Sequence, residues 1–309
     1  MSKLTSSPPP LHAVVLVGAL IGLFLATFPS VETLDQDATV QVFTNRIFPE
    51  AMSLAALAYI RLAFALFIFT VTIHTTFFGK GWIQVTQYLP NSKLLKTAIH
   101  LTGFKTQLPF TSWCWNLLGI SFALNAYITF LAASHHHIPP WLLRTALLLF
   151  ETAAPCSVLV AAVVRYAIWP NIVRNGGDTT ELKRTRTLLW HNANVFMALS
   201  EVTLMGGLPV HFSHVSVAPL YGIVYVLFSW SMTKNWSVES NGPQFIYFFF
   251  DTTLGKFTSI ALLVLLMVLM VVFSIFSVSQ FILDRLGGAF LGHVVFIMTI
   301  LVGVCKFND

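Results

Sequence analysis

Apolar residues come along this chain in long blocks rather than in alternation. Eight blocks stand between short polar segments: His12–Phe28, Ala51–Ile73, Thr111–Ala133, Ala146–Val164, Leu188–Met205, Val215–Met232, Thr258–Gln280 and Ala289–Cys305. Each is about 17–25 residues long, the length a helix needs to cross the hydrocarbon core of a bilayer. Barrel strands would alternate with period two, and none of the blocks does. The pattern predicts an all-α fold, a polytopic transmembrane bundle of about eight spans forming one integral membrane domain over residues 1–309. The first block, short and preceded by a lone Lys3, looks somewhat like a signal sequence and is expected to stay as a span. Two of the intervening loops are long. Phe78 to Phe110, with Trp82, Tyr88 and Pro90, is expected to lie along the membrane surface. Lys234 to Phe257 carries the aromatic run Phe245, Tyr247, Phe248, Phe249 and Phe250, expected at the level of the lipid headgroups.

Composition sharpens this picture. Hydrophobic residues make up 56% of the 309 positions and charged ones only 9%, where a soluble domain carries about 25%. The mean hydropathy is +0.77. The net charge of +5 does not point to nucleic acid, because the basic residues are scattered over the loops. If the N-terminus is cytoplasmic, thirteen Lys and Arg fall on inner segments and three (Arg46, Arg144 and Arg285) on outer ones, with Arg61 inside a span. That asymmetry is the positive-inside bias and places both termini in the cytoplasm. Asn235, in the sequon Asn235-Trp236-Ser237, is then expected to be unglycosylated. Endoplasmic reticulum or plasma membrane is the expected location. Cys114, Cys156 and Cys305 all lie in apolar blocks and read as small packing residues, with no disulfide framework or zinc spacing.

Ionisable groups at membrane depth are costly and mark either function or a paired tie. Arg61 and Glu151 each lie about ten residues into a span that starts on the outer side, so they are expected to form a structural ion pair. Thr111 and His191 both lie near the start of spans that begin on the cytoplasmic side, at matching depth. A hydroxyl nucleophile needs a neighbouring base, and a neutral imidazole serves near pH 7. The bland reading has Thr111 bonded back to its own helix and His191 as a packing residue. Asn194, one turn after His191, could orient the base, donate to an oxyanion, or form a helix–helix hydrogen bond. His135, His136 and His137 share one outer loop and His211 and His214 another. Imidazoles suit zinc or copper, but no cysteine or carboxylate is spaced to complete a site, so no metal is expected. A haem would need two facing histidines, and His191 and His293 disagree in depth.

LPFTSWCWNLLGISFAL (Leu108–Leu124) and LLWHNANVFMALSEVTL (Leu188–Leu204) together resemble the androgen-induced-gene and androgen-dependent tissue-factor-pathway-inhibitor-regulating protein family. VAPLYGIVYVLFSW (Val217–Trp230) looks like that family's next span. The resemblance covers residues 51–280, a six-helix core with one extra helix at each end. It implies a membrane threonine hydrolase that cleaves fatty-acid esters of hydroxy fatty acids, with Thr111 after Phe110 as nucleophile and His191, ten residues before Glu201, as base. Two departures stand out: Gly242, Pro243 and Gln244 replace a Tyr-Pro-containing segment, and His211, Phe212 and Ser213 stand where a His-Tyr-Pro run would be. Glu201, about 15 Å along the helix from His191, reads as a structural tie rather than a triad acid.

The function expected is an intramembrane lipid ester hydrolase without metal or redox cofactor. Its partners would be membrane lipids and an ester substrate, and no nucleic acid. The alternative is a non-catalytic scaffold or accessory subunit of a larger membrane complex.

Overall fold

Prolines stand at the start of several of the helices. The computed structural model describes residues 8–94, 98–233, 235, 244–286 and 289–308. Lys3, Lys96, Lys234, Trp236, Ser237, Gly242 and Pro243, used above for topology, sequon and resemblance, lie outside the described residues. Pro10 leads into α1 (Leu11–Ala26), which is followed by two short helices, α2 (Val31–Asp37) and α3 (Val40–Thr44). Ser53 caps α4 (Leu54–Ile73) by accepting from the Ala56 N–H. Pro109 opens α5 (Phe110–Ala133) and Pro139 opens α6 (Pro140–Val163), since proline lacks the N–H that a first helical turn leaves unused. The chain continues through α7 (Trp169–Arg174), α8 (Thr180–Lys183), α9 (Thr185–Leu188), α10 (Asn194–Thr203), α11 (Val217–Met232), α12 (Lys256–Leu286) and α13 (Phe290–Val304).

Every apolar block is thus met by helix, but the blocks differ in quality as spans. Among the described residues, five helical stretches are long and apolar enough to cross a membrane: Leu54–Phe78, Phe110–Ala133, Pro140–Arg174, Phe212–Met232 and Lys256–Leu283. A sixth arises if α1 and the Val31–Thr44 segment, bent by 64°, count as one. The fifth predicted block is the least regular, because α9 and α10 are joined by a π-helical turn at Leu189–Ala193. Along α12 the exposed side chains include Ile260, Val264, Met267, Val271, Ile275 and Val278, an apolar surface suited to lipid.

α6 is the buried centre and packs against α5, α10, α11 and α12. α4 and α5 approach closely because Gly119 has no side chain where Ile68 abuts it, and Trp115 donates its indole N–H to the Ile68 carbonyl at 3.2 Å.

The expected Arg61–Glu151 pair is not formed. Arg61 instead makes a two-point contact with Glu201, Nε to Oε2 at 3.1 Å and an Nη to Oε1 at 2.5 Å. Its other Nη donates to the Phe43 carbonyl and to Thr129 Oγ1, both at 2.6 Å. Depth alone suggested Glu151. The end of α10 stands beside α4, however, whereas Glu151 faces the chain that follows α10. Gly206 is required here, since a Cβ would overlap the Arg61 guanidinium.

The long Phe78–Phe110 loop folds as a hairpin of β1 (Trp82–Val85) and β2 (Ala98–Leu101), antiparallel with Trp82 opposite Leu101. A 3-10 turn at Gly103–Gln107 leads back to α5. Thr86 Oγ1 donates to the carbonyls of Phe245 (2.7 Å) and Ile246 (2.9 Å), clamping this loop to the aromatic run. Within that run Phe245, Phe249 and Phe250 are buried in the protein, packing against Tyr225 and its neighbours.

Candidate functional site

Thr111 is the second residue of α5, so no helical carbonyl lies four positions before it. Threonines deeper in helices, such as Thr129, Thr145 and Thr152, spend their hydroxyls on that carbonyl at 2.6–2.8 Å. The approach to α5 is pinned on both sides. Ser112 Oγ donates to the Thr106 carbonyl (2.8 Å) and the Tyr225 hydroxyl to the Leu108 carbonyl (3.1 Å). Thr111 Oγ1 then stands 3.4 Å from His191 Nε2 and 3.4 Å from the Tyr247 hydroxyl oxygen. The Thr111 backbone N–H, one of the orphan donors of a helix start, points to the same phenol at 3.5 Å. The structure therefore brings together the two residues that the sequence placed at equal depth.

His191 owes its position to the π turn Leu189–Ala193. Such turns are rare and often occur at functional sites. A second π turn, Val164–Ile168, continues α6 directly across the site. Tyr247 was not expected. Its ring stacks on Phe249, with centroids 5.3 Å apart and planes 6° from parallel. Burial pushes its pKa up to about 12, with the hydrogen bonds to Thr111 acting in the opposite direction. The phenol therefore stays protonated and able to donate.

Two cavities meet at this point. One, of about 860 Å³ including its open side, is walled by apolar side chains including Val17, Leu20, Leu159, Val163, Ile223 and Leu266. The other, of about 1420 Å³ including its open mouth, is lined by Trp82, Gln87, Asp178, Glu181, Arg186 and His191. Thr111, Val164, Ile168 and Tyr247 belong to both. The Thr111 hydroxyl thus stands at the neck between an oily chamber and a polar vestibule. Arg186 lies over the Trp82 ring at 4.1 Å and holds that wall. Among the described residues, no carboxylate forms an ion pair with His191.

The remaining sequence candidates sit elsewhere. Asn194 is fully buried but lines neither cavity. Its side-chain oxygen accepts from the Val195 N–H at 2.7 Å, and its Nδ2 has no hydrogen-bond partner. His293 donates to the Thr203 carbonyl at 2.7 Å, well apart from His191's contacts.

A second polar cluster lies toward the opposite end of the helices. His211 and His214 flank a 3-10 turn and both reach Glu151, while Asp37 closes the group from α2. Burial lowers the His211 pKa, but the hydrogen bond and charge of Glu151 and the charge of Asp37 outweigh it, and the net shift is upward. Spacing along the sequence hid these carboxylates, because they come from two distant helices.

No family model, curated protein or solved structure matches this chain.

Proposed function

We propose that the chain is a membrane-embedded lipid ester hydrolase in which Thr111 is the nucleophile and His191 the general base. The observation that carries this reading is the 3.4 Å approach of Thr111 Oγ1 to His191 Nε2 at the neck between the two cavities. The acyl chain of a substrate would occupy the apolar chamber, with its ester carbonyl at the neck. Thr111 Oγ attacks that carbonyl while His191 Nε2 takes the hydroxyl proton, and the imidazolium returns it to the departing alcohol. Water from the vestibule, deprotonated by His191, then cleaves the acyl-threonine ester. That step frees the carboxylic acid and restores Thr111. The Tyr247 hydroxyl and the Thr111 N–H are placed to donate to the oxyanion of each tetrahedral intermediate.

The topology belonging to this reading has eight spans, cytoplasmic termini and the vestibule facing the cytoplasm, an orientation supported by the bias of basic residues. A fluorophosphonate probe on detergent-purified protein tests the chemistry. Covalent labelling should map to Thr111, vanish in Thr111→Ala and His191→Ala, and survive in part in Thr111→Ser.

The rival reading, a non-catalytic scaffold within a larger membrane assembly, draws support from the absence of a carboxylate partner for His191 among the described residues. It predicts no labelling, together with obligate co-purification of other subunits.

A further inference from the structure

We propose that Asp37, His211 and His214 bind a divalent first-row transition metal ion, zinc by the character of the donors, with Glu151 orienting both imidazoles. Glu151 has a fully buried carboxylate, which can only accept. Its Oε1 receives the Nδ1–H of His211 (2.9 Å) and the His211 backbone N–H (2.7 Å). Its Oε2 receives the Nδ1–H of His214 at 2.7 Å. In the neutral rings, with the proton of each held on Nδ1 by Glu151, both Nε2 atoms present lone pairs. This is the arrangement in which an outer carboxylate fixes the tautomer of a metal-ligating histidine.

Those lone pairs converge on a third group. His214 Nε2 lies 3.2 Å from Asp37 Oδ2 and His211 Nε2 lies 3.9 Å from Asp37 Oδ1. The three donor atoms all fall within 4.8 Å of one another. His214 is fully buried and its Nε2 makes no hydrogen bond. A lone pair facing a carboxylate oxygen with nothing between them is electrostatically unfavourable, and a buried polar atom without a partner is costly. A cation between them removes both penalties. A tetrahedral site with bonds of about 2.0–2.1 Å has edges of about 3.3 Å. The 3.2 Å separation is already close to that, and the others, all within 4.8 Å, reach it by movement of the partly exposed His211 and Asp37 side chains. Side-chain exposure of 28% for His211 and 27% for Asp37 leaves room for a water as fourth ligand. Two imidazoles and one carboxylate are the donor set of zinc sites that keep an open position.

Metal-stripped full-chain protein in detergent, titrated with Co²⁺ and then Zn²⁺, decides the matter. One equivalent of Co²⁺ should give the intense visible bands of a four-coordinate ion, displaced by one equivalent of Zn²⁺. Asp37→Asn and His214→Gln should lose the bands while keeping native helicity and melting behaviour. Glu151→Gln should retain the site with about 10–100-fold weaker affinity. Absence of stoichiometric binding by folded protein overturns the proposal. So does unchanged binding in Asp37→Asn, and so does a change at this cluster that follows pH alone with no metal retained at neutral pH.

Discussion

Arg61 and Thr111 both carry a polar group into a mostly apolar bundle, yet their surroundings are opposite in kind. Around Arg61 the contacts are short, 2.5–3.1 Å, and the guanidinium is used on every side by Glu201, Phe43 and Thr129. Around Thr111 they are long, 3.4–3.5 Å, and a cavity opens on either side. A closed network spends its energy in the resting structure and has no capacity for another atom. A loosely held hydroxyl beside a base can still tighten its contacts when a substrate carbonyl arrives. The Glu151 cluster stands between the two, with one side satisfied and the Nε2 of His214 left over.

Breaking the open site should produce the largest effect, and on rate alone. Thr111→Ala and His191→Ala should each lower ester cleavage by about 10⁴-fold or more, measured by turnover of a fatty-acid ester in detergent. Their melting temperatures should stay near the parent's, because neither change leaves a buried charge. A stability loss with unchanged turnover would make Thr111 another structural group.

Breaking the closed network should act in the reverse way. Arg61→Ala strands the buried Glu201 carboxylate and should cost about 3–5 kcal/mol of stability, read from thermal or denaturant unfolding. The pair Arg61→Met with Glu201→Leu should recover most of that loss, since apolar replacements of a buried ion pair are often neutral.

Tyr247→Phe sharpens the contrast, because it removes only a hydroxyl. If that hydroxyl serves the oxyanion, kcat should fall by about 10²–10³-fold, with little change in KM or melting temperature. The smallest effect is expected at Asn194. Its Nδ2 is already without a partner, so Asn194→Leu should change stability by about 1 kcal/mol or less and leave turnover intact. A turnover loss there would return Asn194 to the site.

Much of this was legible along the chain. Long apolar blocks mark helices because the backbone must satisfy itself in lipid, and the helices at Leu54–Ile73, Phe110–Ala133 and Lys256–Leu286 follow their blocks closely. Thr111 and His191 were found by depth, since each stands near the start of its helix and rise per residue converts position into height. Depth failed for Arg61. Glu151 and Glu201 are both buried, and which of them faces α4 depends on how the helices are rotated and packed. Tyr247 escaped notice because an aromatic run reads equally as an interface belt or as a buried wall. Its hydrogen bond to Thr111 is made by docking the Phe78–Phe110 hairpin beneath it, a long-range contact without a local signal.

The sequence by itself determined the helical, bilayer-compatible character of the chain, the approximate place of its apolar helices, and the polar residues that must find partners. Those follow from hydropathy and the cost of burying charge, both of which act locally. Only the tertiary structure decided which partners they find: Glu201 for Arg61, Tyr247 beside Thr111 and His191, and Asp37 with Glu151 around His211 and His214. These choices depend on helix rotation and on two irregular π turns, which residue spacing along one helix does not encode.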